Sequence, residues 1–292
     1  MDVKKNAKLR ELLNRDGPVV AAGAYDCVSA RIAERCGFDA VYMTGNGVSA
    51  SLIGRPDVGL TTMSEMVARA HFIAESIEAP LICDADTGYG NVSNVFRTVR
   101  EYEAAGASAI HLEDQTTPKK CDAIAGYTLI PAEEMAEKIK AAVKARRDPN
   151  FVVIARTDSY PVLGFDEALR RSRLYARAGA DAVFPDMIKT REEILAMTTK
   201  VDAPVLFDIF EQHRGVPTFG VKELGGLGVK VIIHCLSAMF FVCRQLTRLY
   251  GHMREHGSTN AMMDELMPLH DYEELMGLAD ALALEREHAA AR

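Results

Sequence analysis

Asp84 and Asp86 stand two residues apart in the run Asp84-Ala85-Asp86-Thr87-Gly88-Tyr89-Gly90. At the end of a strand, side chains two apart project toward the same side. With Glu113 on the neighbouring strand they make an acidic patch, and like charges this close repel unless a cation sits among them. Oxygen-only donors suit Mg2+ or Mn2+, and Mg2+ keeps several waters while taking one or two carboxylates directly. The plainer alternative is that these acids cap the following helix or pair with Arg97 or Arg100.

Arg156 offers a rigid two-toothed fork for a substrate carboxylate. A salt bridge to Glu113 or Asp158 would use the same fork. The turn Thr44-Gly45-Asn46-Gly47 can present backbone N–H groups to an oxyanion. Cys121 lies in a long joint, Gln115 to Pro131, where Lys119 and Lys120 favour its thiolate and Asp122 opposes it. A joint of that length is a candidate lid, expected to be mobile without ligand.

These residues need a scaffold that gathers them. Unalternated apolar runs recur at Pro18–Ala22, Ala40–Met43, Pro80–Cys83, Ala109–Leu112, Phe151–Ala155, Ala182–Phe184, Pro204–Phe207 and Val229–Ile233. Such runs suit strands covered on both faces. Between them lie segments of helical period, several ending in glycine (Gly37, Gly106, Gly179) as helix stops do. Repeated strand–helix units with short joints predict right-handed crossovers and a parallel sheet, and eight of them predict a closed (β/α)8 TIM barrel. The 292 residues form one domain in this reading, with surplus helices over 236–292. The apolar run Ser237–Val242 reads as a buried helix. In a barrel, function collects after the strand ends. There the chain places Asn46, Asp84, Glu113, Arg156, Asp186, Asp208 and Glu211, which argues for an enzyme.

Composition narrows the class. A net charge of −7 argues against a nucleic-acid footprint. No apolar run approaches the roughly 18 residues of a membrane span, and Met1–Asn14 is charged and helical in pattern, without a secretory core. The expectation is a cytoplasmic protein with no membrane partner. Six scattered cysteines show no CxxC pair, and five of them read as buried free thiols.

Several motifs together resemble the isocitrate lyase and phosphoenolpyruvate mutase superfamily. They are Tyr42-Met43-Thr44-Gly45, Pro56-Asp57, the Asp84–Gly90 run, Leu112-Glu113-Asp114-Gln115, Pro118-Lys119-Lys120-Cys121 and Ala155-Arg156-Thr157-Asp158. The short chain looks like the branch of methylisocitrate lyase, dimethylmalate lyase, oxaloacetate hydrolase and carboxyphosphonoenolpyruvate mutase. The resemblance implies that Asp84 and Asp86 hold Mg2+, with Asp57 and Glu113 acting through bound waters. It assigns Tyr42, Thr44, Gly45 and Asn46 to the keto-acid and enolate region, Arg156 to the other carboxylate, and Cys121 to protonation of the enolate carbon. It also implies a homotetramer, a dimer of dimers in which 236–292 packs on a neighbouring subunit.

Three positions depart from the pattern. Asp122-Ala123 follows Cys121 where the lyases carry Gly-His. Asp186 stands in place of a glutamate, and Asp208 in place of an asparagine. The reading is a Mg2+-dependent carbon–carbon lyase acting on a 2-hydroxy di- or tricarboxylate, or a related small carboxylic acid, through an enolate. Its alternatives are a phosphonate-forming mutase or hydrolase of the same superfamily, and a catalytically degraded binding protein.

Overall fold

The eight apolar runs become eight parallel strands: β1 (Val19–Ala24), β2 (Ala40–Met43), β3 (Leu81–Asp84), β4 (Ala109–Glu113), β5 (Val152–Thr157), β6 (Ala182–Pro185), β7 (Leu206–Asp208) and β8 (Val231–His234). This computed structural model describes residues 3–121, 126–211 and 218–289. The strand order is β6-β5-β4-β3-β2-β1-β8-β7. A bridge from Val183 to Val205, just before β7, brings the two ends of the sheet together, so the barrel is nearly closed.

The helices follow in order: α1 (Val3–Asn14), α2 (Cys27–Arg35), α3 (Gly45–Val48), α4 (Met63–Ser76), α5 (Val92–Ala104), α6 (Ala132–Ala145), α7 (Tyr160–Leu163), α8 (Phe165–Arg177), α9 (Arg191–Lys200), α10 (Val221–Gly226), α11 (Ser237–His256), α12 (Leu269–Leu275) and α13 (Leu278–Ala289). Gly37, Gly106 and Gly179, just past α2, α5 and α8, take φ values of 84°, 93° and 104°. That left-handed turn ends each helix at little cost only for glycine.

Burial on both faces hides the strand alternation from the sequence, but the packing restores it. Ala40, Ile82, Ala109, Val152, Ile154, Ala182, Leu206 and Val231 fill the barrel, with Leu9 of α1 in the same cluster. Val41, Cys83, Ile110, Leu112, Val153 and Ala155 pack outward against the helices. Continuing the period of two along each strand puts Tyr42, Asp84, Glu113, Arg156 and Asp208 on the inward face at the C-terminal end. Seven of the eight expected strands stopped one or two residues short, so Asp84, Glu113, Arg156 and Asp208 are strand residues and not loop residues. A strand end holds a side chain more firmly than a loop does.

Two expectations need correction. No residue of α11 is buried, and Phe241 is 64% exposed, so the longest apolar run is not a core helix of this chain. Of the five cysteines expected to be buried, only Cys83 is. Cys36 and Cys243 are exposed, because they fall at the end of α2 and on α11. The chain divides into two compact units, Met1–Met239 and Phe240–Arg292. Within the second, Arg248 grips Glu265 through two bonds of 2.5 and 2.6 Å, and Met262 and Leu275 are buried. Among the described residues, no helix is long and apolar enough to cross a membrane.

Candidate active site

The acidic patch forms, and a lysine sits in it. Lys119 Nζ lies 2.8 Å from both Asp57 Oδ2 and Asp86 Oδ1, and all three side chains are buried. Burial would drive the Lys119 ammonium toward neutrality. Asp86, Asp84, Glu113 and Asp57 outweigh it and hold the lysine pKa well above its ordinary value. Burial also opposes the charge on Asp84, yet the His111 ring, Lys119 and Arg156 hold that carboxyl down at about 2. His111 is itself driven to about 4 by burial, so its ring is neutral near pH 7. The lasting positive charge beside Asp84 therefore comes from Lys119 and Arg156.

The remaining acids pay the electrostatic cost. Burial lifts Asp86 to about 6 against the pull of Lys119, with Asp84 and Asp57 adding repulsion. Glu113, lifted well above the carboxylate range mainly by burial, leaves its buried Oε1 with no hydrogen-bond partner. The helix-capping alternative fails, because Asn91 caps α5 through Ser93 N and Asn94 N. Arg97 turns to Glu101, and Arg100 lies over Phe96. Asp86 keeps a φ of 46°, a left-handed geometry that a non-glycine residue adopts at a cost.

Do these residues suit a divalent ion? The donors are all oxygen, Asp86 and Glu113 are disfavoured as anions mainly by burial, and Glu113 Oε1 is an orphaned acceptor. Among the described residues no three acids converge as a ready coordination shell, since the ammonium stands between Asp57 and Asp86. The donor set fits the ion in chemistry once Lys119 withdraws.

Opposite the acids lies Arg156, which is already engaged by carboxylates. Its Nε is 2.6 Å from Asp158 Oδ1 and 3.6 Å from Glu113 Oε2, and its Nη2 is 2.5 Å from Asp186 Oδ2. Its guanidinium also lies over the Phe184 ring, 4.9 Å from the centroid. Arg156 is salt-bridged, as the plainer alternative expected, and it also lines the pocket. Asp158 is braced in turn by Gln115 Nε2 at 2.5 Å and by its own N–H on Asp114 Oδ1 at 2.9 Å. Asp208 Oδ1 accepts the Cys235 N–H at 3.3 Å. His213 and Arg214, close to Asp208 in the sequence, lie outside the described residues.

Thr44–Gly47 is not an open turn. Thr44 caps α3, its Oγ1 takes the Gly47 N–H at 3.3 Å, and the chain runs on into a wider turn at Ser49–Ile53. Gly45 is required here, since a Cβ would come within 2.3 Å of Asp84 Oδ2. Asn46 Nδ2 donates to the Cys121 sulfur at 3.7 Å, and the Cys121 N–H donates to Asp57 O at 2.9 Å. Lys119, Lys120 and Cys121 thus reach over the strand ends from the long joint. Asp122 and Ala123 lie outside the described residues.

One pocket gathers Tyr42, Thr44, Asn46, Asp57, Asp84, Cys121, Arg156, Asp186 and Asp208. Gly45, Asp86 and Glu113 stand directly behind it through the contacts above. The free space is about 30 Å³, enough for a water or two. Sequence reasoning missed Lys119 as counter-ion, His111 beneath the site, and Cys235 and Leu236 in its wall. The period of two was the available signal for His111, two residues before Glu113 on β4.

The sequence profile described as phosphoenolpyruvate phosphomutase matches residues 9–253. The chain belongs to this family. A 2,3-dimethylmalate lyase of Eubacterium barkeri is 43% identical over 98% of this chain and 99% of its own. A 2-methylisocitrate lyase of Aeropyrum pernix is 39% identical over 93% of this chain and 87% of its own. The structure of a phosphonopyruvate hydrolase in complex with oxalate and Mg2+ superposes with a TM-score of 0.87 at 33% identity, covering 97% of this chain and 98% of that one. Residues from five of the six motifs read from the sequence line the pocket, and the proteins this chain resembles include lyases and a hydrolase.

Proposed function

We propose that the protein is a Mg2+-dependent carbon–carbon lyase that cleaves a 2-hydroxy dicarboxylate with small apolar branches through an enolate. The observation that carries this reading is the opposition of two charges in one pocket. Asp57, Asp84, Asp86 and Glu113 surround the buried Lys119 cation on one side, and Arg156 stands with Tyr42 and Thr44 on the other. Asp84 and Asp86 would hold Mg2+ (or Mn2+), with Asp57 and Glu113 supporting it through water. When bound, the ion neutralises charge that develops on the oxygens of the keto acid.

The chain's own residues supply the rest. Arg156, kept in register by Asp158 and Asp186, orients a substrate carboxylate. Tyr42, Thr44, Gly45 and Asn46 line the oxygen-bearing end. The substrate hydroxyl gives its proton to a carboxylate lining the pocket, and its O–H electron pair forms the keto C=O as the adjacent C–C bond breaks. The released fragment carries the electron pair of the broken C–C bond as an enolate, which the Cys121 thiol protonates at carbon. We expect Cys121→Ser to lower turnover by roughly 10²–10⁴-fold, the usual worth of a positioned acid, while oxalate binding survives. Near-normal turnover would move the acid elsewhere.

Beside Asp208 the wall is apolar, formed by Phe210, Cys235 and Leu236. A carboxylate at Asp208 accepts hydrogen bonds and donates none, whereas an amide there can donate to a substrate carboxylate. This favours a methyl-bearing acid over a tricarboxylate. The test is a screen of 2,3-dimethylmalate, methylisocitrate, oxaloacetate and phosphonopyruvate for Mg2+-dependent product release. Dimethylmalate-type acids should be cleaved, methylisocitrate poorly, and Asp208→Asn should gain on methylisocitrate. Efficient methylisocitrate cleavage by the wild type, with no gain in the variant, sinks the role of Asp208. Release from phosphonopyruvate alone would make the enzyme a hydrolase.

We also propose that 236–292 docks on a neighbouring copy, giving a dimer of dimers. The exposed apolar residues Phe240, Phe241, Tyr250 and Met253 of α11 support this, as does an apolar cavity of about 330 Å³ on the barrel wall beside Ile32, Ala33 and Phe38. Light scattering should return a tetramer, and Phe241→Glu should dissociate it. A monomeric wild type rules the exchange out.

A further inference from the structure

His111 is fully buried in the middle of β4, inward-facing and directly beneath the pocket. Its Nε2 lies 2.8 Å from the Tyr42 hydroxyl, a hydrogen bond whose polarity depends on which ring nitrogen carries the proton. Its Nδ1 is buried and has no partner. Two neighbours fix the ring: Tyr42 runs nearly parallel to it, 14° between planes, and Phe184 presents an edge at 88°. A partial turn of the ring to rescue Nδ1 would break both contacts, and a half-turn would take Nε2 away from Tyr42 Oη.

The orphaned nitrogen decides the tautomer. A buried N–H without an acceptor is rarer and costlier in folded proteins than a buried lone pair without a donor. A proton on Nδ1, whether alone or in the doubly protonated ring, would create that orphaned donor. A second observation points the same way. Asp84 Oδ1 is 3.7 Å from Nε2, too far for a good hydrogen bond but close enough for its charge to be felt. A proton on Nε2 faces that carboxylate favourably, whereas a lone pair there would be repelled. With Nε2–H donating to the Tyr42 oxygen, the phenol's own hydrogen must point elsewhere, and the pocket lies on its other side.

We propose that His111 is a positioning residue which, as the Nε2–H tautomer, donates to Tyr42 Oη and turns the Tyr42 hydroxyl hydrogen into the pocket toward a substrate oxygen. The assignment rests on the lyase reading only for the identity of that oxygen. It makes Tyr42 an oriented donor in place of a rotor with a choice of acceptors. A donor fixed before the substrate arrives needs no reorganisation when charge develops on the oxygen it faces.

The first measurement needs no substrate. Nitrogen-15 NMR of the metal-free wild type at neutral pH, with the His111 signals assigned by their loss in His111→Gln, should show Nε2 protonated and Nδ1 bare. A proton on Nδ1 overturns the proposal, even if every acid in the screen is cleaved. If instead no acid is cleaved, the lyase reading falls while this measurement still decides the tautomer. With an acid that is cleaved, His111→Phe keeps an aromatic ring but removes the donor, and turnover should fall roughly 10²-fold, as for loss of one oriented donor. His111→Gln, which keeps an N–H of similar reach, should recover most of it. In a Tyr42→Phe background His111→Phe should cost nothing further. An equal fall in that background would make His111 merely a packing residue.

Discussion

Asp84→Ala and Asp86→Ala are expected to abolish turnover, by at least about 10³-fold if the bound ion carries the electrostatic stabilisation that a preorganised site usually provides, with little loss of folded protein. The two aspartates crown the barrel and do not fill it. Asp84 accepts the Asp86 N–H at 2.9 Å, so each also shapes the turn in which the other sits. Removing Asp86 takes away a carboxylate that its surroundings raise to about 6 and that Lys119 only partly satisfies. Metal-free Asp86→Ala should therefore lose less stability than a variant without Lys119, because the ammonium keeps Asp57 as a partner, and it should also lose the stabilisation expected from Mg2+. The pH dependence has a definite sign. The folded carboxyl binds its proton more tightly than the unfolded one, so its contribution to stability is full below about 4 and is lost as pH rises through about 6. Mg2+ competes with that proton, so its thermal stabilisation of the wild type should grow between pH 5 and 7. Calorimetry with and without chelator at both pH values checks this. Full turnover in chelator would remove the ion from the mechanism.

How much of this was legible beforehand follows from which forces act locally. Strand positions could be read because eight Val/Ile/Ala runs at regular spacing have few other ways to be buried. Asp84, Glu113 and Arg156 could be read because each ends such a run, and the fold then turns all of them inward. Lys119 could not. Its role depends on where a joint folds back across the barrel mouth, and nothing between Gln115 and Cys121 encodes that return path. From the sequence the two lysines looked like neighbours of a thiol, but they part company in the fold. Lys119 is buried among acids, while Lys120 reaches out to Gly126 O at 3.0 Å. The α11 misreading has the same origin. An apolar run signals burial against something, and the sequence does not say whether the partner belongs to the same chain. Asp186 and Asp208 stood out as departures from a family pattern. The geometry adds that Asp186 spends its shorter side chain on Arg156, a contact that residue type alone does not reveal.

Lys119→Met should separate two properties that usually move together: Mg2+ binds more tightly, and turnover falls. In the metal-free protein Lys119 supplies the positive charge that Asp57 and Asp86 need, so the ion and the ammonium compete for the same carboxylates. Methionine keeps most of the buried stem and discards the charge. Breaking a buried ion pair by removing one partner costs about 3–5 kcal/mol. At roughly 2–4 °C per kcal/mol for a chain of this size, the unfolding midpoint in chelator should drop by on the order of 10 °C. Protonation of Asp86, already half-favoured near pH 6, will soften that loss at low pH. The missing ammonium no longer has to be displaced, so Mg2+ should restore more stability to the variant than to the wild type, and its affinity should rise about tenfold or more. Turnover should fall all the same. Lys119 ties the joint carrying Cys121 to Asp57, alongside the bond from Cys121 N to Asp57 O, and without it the thiol is held over the pocket by fewer contacts. Isothermal titration with Mg2+ alone and a rate measurement on the same preparation decide the matter. A fall in Mg2+ affinity together with turnover would show that Lys119 supports the ion's site and does not occupy it.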